Sequence, residues 1–124
     1  MANILVVEDD MFVSDMLSQV LTRANHHVKT AKDGEDAVTV LKTFEPDVMV
    51  TDILMPKKSG TTLISEVRAQ HPNMEIIAIS GGGRADPIGY LDLSEELGAA
   101  ISFAKPVDND AILMTIDLLL AKKH

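Results

Sequence analysis

The chain contains no cysteine and no tryptophan, and its 124 residues include three phenylalanines and one tyrosine. Without cysteine there is no disulfide framework, so a reducing compartment, the cytoplasm, is the expected location. With so few aromatics, surfaces on which nucleic acid bases stack are nearly missing. Basic residues are also scarce: Lys and Arg total 11 against 19 Asp and Glu, a formal net charge of −8. A phosphate backbone is gripped by a basic face, so direct nucleic acid binding is not expected. No apolar run approaches the ~18 residues that mark a membrane span, and the N-terminus lacks the charged-then-apolar pattern of a signal peptide. No membrane association is expected either. What is present is a hydrophobic fraction of 46%, enough for a real core in one domain over residues 1–124.

The chain is organised around Asp47-Val48-Met49-Val50-Thr51-Asp52 and the following Ile53-Leu54-Met55-Pro56. A short apolar run bounded by turn residues reads as a strand buried on both faces, as in parallel sheets. Asp52 falls where that strand ends, and Pro56 prevents simple continuation. Taken alone, Asp52 is equally readable as a turn cap.

Asn3–Val7 is a second apolar run, closed by Glu8-Asp9-Asp10. Asp10 reads as the N-cap of a helix carrying Met11, Leu17, Val20 and Leu21 at helical spacing. His27–Ala31 alternates apolar and polar residues and reads as a strand near a sheet edge. Asp33-Gly34 turns the chain into a helix whose apolar stripe is Ala37, Val38, Leu41 and Phe44. After the Asp52 strand, a helix begins at Ser59-Gly60, buries Leu63, Ile64 and Val67, and ends near His71-Pro72. A strand over Glu75–Ile79 runs into Ser80-Gly81-Gly82-Gly83. Pro87–Leu97 reads as a helix stopped by Gly98. Ala100–Ala104 is the fifth strand, closed by Lys105-Pro106, and Asp108–Ala121 is the last helix, with Ile112, Leu113, Ile116, Leu119 and Leu120 inward. Strand and helix alternate five times with short connections, which predicts a five-stranded, doubly wound parallel sheet covered on both faces.

On that frame Glu8, Asp9, Asp10, Asp52, Ser80 and Lys105 all fall at the C-terminal edge of the sheet, where ligands bind in open α/β folds. Clustered carboxylates repel unless a cation neutralises them. Hard oxygen donors, few in number and leaving room for water and phosphate, suit Mg²⁺ better than zinc. Lys105 supplies a point charge for a carboxylate or a phosphoryl oxygen. Asp52 is the natural nucleophile, since aspartate can form an acyl phosphate.

At this point the chain resembles the receiver domains of two-component response regulators. The matching residues are Ile4-Leu5-Val6-Val7-Glu8-Asp9-Asp10, Val50-Thr51-Asp52-Ile53-Leu54-Met55-Pro56 with Gly60, Ile79-Ser80-Gly81, and Lys105-Pro106. The resemblance covers the whole chain. It implies the flavodoxin-like (βα)5 fold with strand order 2-1-3-4-5. It further implies that Asp52 takes a phosphoryl group from a histidine kinase or histidine phosphotransfer protein, and that the product signals to a downstream protein target. Asp9, Asp52 and the backbone carbonyl of Leu54 would hold Mg²⁺, with Glu8 acting through water. Ser80 and Lys105 would bind the phosphoryl group. A cis Lys105-Pro106 bond would also follow, although cis forms are only about 5–6% of X–Pro bonds. Such a domain is a signalling switch and not an enzyme in the ordinary sense; it catalyses only its own phosphorylation and dephosphorylation.

Two features depart from the family pattern. Ser102 stands on strand five where a switch aromatic is usual, and Phe103, one place later, should point the other way. The segment from Ser80 to Gly98 is also longer than usual, which makes it the natural substitute for the missing ring. The competing readings are a degenerate receiver that only binds proteins, and a small Mg²⁺-dependent phosphohydrolase. The latter would need an acid/base group two residues beyond Asp52, where Leu54 stands. Gly81-Gly82-Gly83 matches neither nucleotide-loop pattern. The four histidines lack metal-ligand spacing and are expected at the surface, and the methionines are expected to fill the core. The chain is read as a stand-alone receiver, with a fragment of a longer protein as the alternative.

Overall fold

A computed structural model of the chain describes residues 2–53, 60–80, 98–104 and 107–122. The elements are β1 (Asn3–Val7), α1 (Met11–Arg23), β2 (His27–Ala31), α2 (Gly34–Leu41), β3 (Val48–Asp52), α3 (Gly60–Gln70), β4 (Glu75–Ser80), β5 (Ile101–Ala104) and α4 (Asn109–Lys122). The expected helix over Pro87–Leu97 and the Lys105-Pro106 bond lie outside the described residues.

The five strands form one parallel sheet in the order β2-β1-β3-β4-β5. Side chains alternate between its faces, and each face has its own apolar layer. Ile4, Val6, Val48, Val50, Ile77 and Ile79 pack under Leu17 and Leu21 of α1 and Ile112, Ile116 and Leu119 of α4. Leu5, Val7, Met49, Ile76 and Ala78 pack under Ala37 of α2 and Leu63, Ile64 and Val67 of α3. The strand order reverses between β1 and β3, because the chain turns outward to β2 from one and to β4 from the other. That reversal leaves a crevice at the C-terminal ends of β1 and β3.

Asp47 locks the opposite end of the same strands. Its carboxylate accepts the Asn3 N–H at 2.9 Å, its own N–H donates to the Asn3 carbonyl at 2.7 Å, and its carbonyl accepts from Glu75 N–H at 3.1 Å. β1, β3 and β4 are thus joined before their apolar runs begin.

Three expectations need correction. Helix α2 ends at Leu41, so Phe44 lies beyond it; the ring is still buried, with the His27 ring edge-on at 5.6 Å and Lys29 Nζ 5.2 Å above it. The methionines divide: Met49 and Met74 are core residues, whereas Met11 and Met114 are exposed. Met11 starts α1 off the face shared by Ser14, Leu17 and Leu21, and Met114 lies off the face shared by Ile112, Ile116 and Leu119.

The third correction is His26, expected at the surface but only 8% exposed. The cause is the way α1 stops. Asn25 takes φ 71°, the left-handed conformation that asparagine tolerates just past a helix end. Its N–H donates to the Thr22 carbonyl and the next N–H, of His26, reaches back to Leu21. This reversal turns the His26 ring inward, where Nδ1 accepts the Ala2 N–H at 3.2 Å. Burial and the positive chain terminus lower the His26 pKa below 6.5, partly opposed by Asp117 on α4.

A histidine whose folded pKa is lowered binds fewer protons in the folded state than in the unfolded one. Its contribution to stability is therefore complete above 6.5 and is lost as pH falls below that value. Urea unfolding at pH 7.5 and pH 5.5 should show wild type losing more stability on acidification than His26→Gln. Equal losses in the two proteins would show that His26 does not titrate in this way.

Candidate functional site

The carboxylates come together because of strand parity and register. Glu8 continues the alternation of Ile4 and Val6, and Asp52 that of Val48 and Val50. The β1–β3 register pairs Val7 with Thr51, so its next step sets Glu8 opposite Asp52. One side-chain oxygen from each of Glu8, Asp9 and Asp52 lies within 4.8 Å of the others. Glu8 is 1% exposed and Asp52 4%, whereas Asp9 faces solvent.

Backbone hydrogen bonds anchor Glu8 and the chain around Asp52. Glu8 N–H donates to the Ala31 carbonyl at 3.0 Å, extending the β1–β2 ladder past the last strand residue. Ile53 N–H donates to Ile79 at 2.9 Å, which fixes the chain just after Asp52. The buried Thr51 hydroxyl donates to the Asp52 carbonyl at 2.9 Å. Asp52 therefore sits on a rigid strand end and not on a loose turn.

Asp10 is placed differently. It stands outside the three-carboxylate group and caps α1, with Oδ1 accepting from Phe12 N–H at 2.9 Å and Val13 N–H at 3.4 Å. Its own N–H donates to Glu8 Oε2 at 3.3 Å, which ties the cap to the site. Asp33 caps α2 at the same edge, accepting the Asp36 N–H at 2.8 Å, while the Asp36 carboxylate accepts the Lys32 N–H at 3.0 Å.

Of the other expected site residues, Ser80 ends β4 with its backbone opposite Ala104 of β5, and its side chain lies outside the described atoms. Leu54, Lys105 and Pro106 lie outside the described residues. Ser102 is half-buried on β5 and pairs with Ala78. Phe103 packs with Ile101 against the α1/α4 layer, on the opposite face from Ser102 by strand alternation.

The donor set is three carboxylates and no sulfur or imidazole. Hard anionic oxygens in that number fit a small divalent cation that keeps part of its water, and Mg²⁺ meets that description. A cation held there would neutralise the clustered negative charge, and the strand-end carboxylate of Asp52 could face an incoming electrophile.

The chain matches the family profile of the response regulator receiver domain over residues 4–117. It is 35% identical to the chemotaxis protein CheY of Treponema pallidum, over 94% of this chain and 81% of that protein. It is 31% identical to the transcriptional regulatory protein CpxR of Klebsiella pneumoniae over its whole length, which spans about half (51%) of CpxR. Among solved structures, the receiver domain of NtrX from Brucella abortus superposes with a TM-score of 0.87 at 27% identity, covering 95% of this chain and 98% of that one. The chain belongs to the response regulator receiver domain family, the phospho-accepting switches of two-component signalling. Receiver domains bind Mg²⁺ at acidic residues and interact with histidine kinases or phosphotransfer proteins. Among the described residues no helix is long and apolar enough to cross a membrane.

Removing the α1 cap should cost about 0.5–2 kcal/mol, the usual range for an aspartate N-cap. Urea unfolding of Asp10→Ala against wild type measures this. An unchanged midpoint would show that the two cap hydrogen bonds contribute nothing.

Proposed function

We propose that Asp52 is the phosphoacceptor of this receiver and that Glu8 and Asp9 supply the acidic surroundings of a Mg²⁺ site. The observation that carries the proposal is the meeting of a buried strand-end carboxylate with two others within 4.8 Å. Carboxylates this close repel, and a divalent cation offsets that repulsion. Bound there, Mg²⁺ would neutralise charge on the carboxylates and on the phosphoryl oxygens.

In the reaction a carboxylate oxygen of Asp52 forms a bond to phosphorus of a phosphohistidine. The phosphorus–nitrogen bond breaks and the imidazole leaves with its electron pair, taking up a proton. The product is an acyl phosphate on Asp52. β3 holds the nucleophile in place, since the backbone groups on either side of it are bonded. Asp9, the exposed member, and Asp52 would contact the metal directly, with the Leu54 carbonyl completing the protein ligands and buried Glu8 acting through water. Ser80 and Lys105 would engage the phosphoryl oxygens, and Lys105-Pro106 would adopt the cis form. The domain would catalyse only its own phosphorylation and dephosphorylation. Its donor would be a histidine kinase or histidine phosphotransfer protein in the cytoplasm, and its output a protein target. Ser102 has no ring to swing inward, so the output would run through the Ser80–Gly98 segment.

Acetyl phosphate and Mg²⁺ should add one phosphoryl mass to the wild-type protein and none to Asp52→Asn, measured on the intact chain. Equal adducts on both would remove Asp52 from its role.

Mg²⁺ should also raise the wild-type melting temperature by preferential binding to the folded state. Asp9→Asn should lose that rise, and a rise as large as in wild type would remove Asp9 from the metal site.

A further inference from the structure

Helix α3 carries an arginine in its last turn that reaches well beyond its own element. Arg68 Nη1 donates to the carbonyls of Pro72 at 2.7 Å and His71 at 3.4 Å, in the turn that leads to β4. Its Nη2 donates to the Gly98 carbonyl at 2.8 Å, 30 positions along the chain. One planar cation thus joins the end of α3 to the residues that lead into β5. Cationic side chains are favoured near helix C-termini, and the rigid fork of arginine can satisfy several carbonyls at once.

Gly98 is shaped to receive that side chain. Its φ of +131° is one that residues with a Cβ rarely adopt. A Cβ at this position would lie 2.8 Å from Arg68 Nε and 3.1 Å from Cγ. Conformation and steric room both call for glycine, and both serve the same contact.

What the contact holds is an edge strand of the sheet. β5 has four residues and pairs with β4 alone. Ile101, Ser102 and Phe103 are half-buried, whereas every residue of β3 is buried. Among the described residues, the start of β5 is tied by Ala100 N–H to Ile76 at 2.7 Å and by the Arg68–Gly98 bond. Short, half-exposed edge elements are where folded proteins open locally.

We propose that Arg68 is a latch controlling how readily β5 leaves the sheet: its guanidinium pins Gly98 to the end of α3, and releasing it frees the edge strand while β1 and β3 stay folded. The latch lies at the opposite end of β5 from the acidic edge. The proposal does not depend on phosphorylation of Asp52.

Native-state hydrogen exchange on the whole chain, followed at several sub-denaturing urea concentrations, tests this. In wild type the amides of residues 100–104 that face β4 should exchange through an opening with a shallow urea dependence, since little surface is exposed. The β1 and β3 amides should show the steep dependence of global unfolding. Arg68→Ala should speed exchange at residues 100–104 by roughly tenfold or more, with the slope still shallow. Arg68→Lys should fall between the two proteins, since lysine donates without the fork. Gly98→Ala should accelerate the same amides, and by a smaller factor when Arg68 is already alanine, because the two residues share one contact. Unchanged exchange at residues 100–104 in Arg68→Ala would overturn the proposal. So would a wild-type urea slope there as steep as in β1 and β3.

Discussion

Burying Glu8 and Asp52 at the ends of two apolar strands, with Asp9 in reach of both, places like charges where water is largely excluded. Carboxylates gathered so closely repel, and an opposite charge offsets that repulsion. The two ladders beside β1, to β2 and β3, prevent Glu8 from swinging away, and the β3–β4 ladder does the same for Asp52. Rigid strands therefore hold together groups that repel.

The rest of the fold serves that edge. The two apolar layers make β1 and β3 interior strands, so their ends cannot fray. The caps Asp10 and Asp33 use acidic side chains to start α1 and α2 at the same rim. Acidic residues at this rim thus have distinct duties: some satisfy helix N–H groups, and others form the oxygen cluster. At the far rim Asp47, His26 and Arg68 tie backbone to backbone, leaving the acidic rim as the place where chemistry can happen.

The strands were legible in the sequence because a buried parallel strand is written as an unbroken apolar run. Ile4–Val7, Val48–Val50 and Ile76–Ile79 have no other good reading. The meeting of Glu8 with Asp52 was legible too, since strand-end residues of a parallel sheet share one edge. The strand order was not readable from periodicity and came only with the family resemblance. His26 was misplaced because its burial depends on the left-handed turn at Asn25; an asparagine just after a helical stretch was the available signal. The Arg68 contact was invisible because it links residues 30 positions apart through backbone carbonyls, which no side-chain pattern records.

The central claim is that the phosphoryl group is carried by Asp52 as an acyl phosphate. Borohydride reduces an aspartyl phosphate to homoserine, leaving a permanent mark at the modified position. The protein should be treated with acetyl phosphate and Mg²⁺, reduced, digested and sequenced by tandem mass spectrometry. Homoserine is expected at position 52 and intact aspartate at positions 9 and 10. Homoserine at either of those positions, or a reduced glutamyl product at position 8 with Asp52 unchanged, would contradict it.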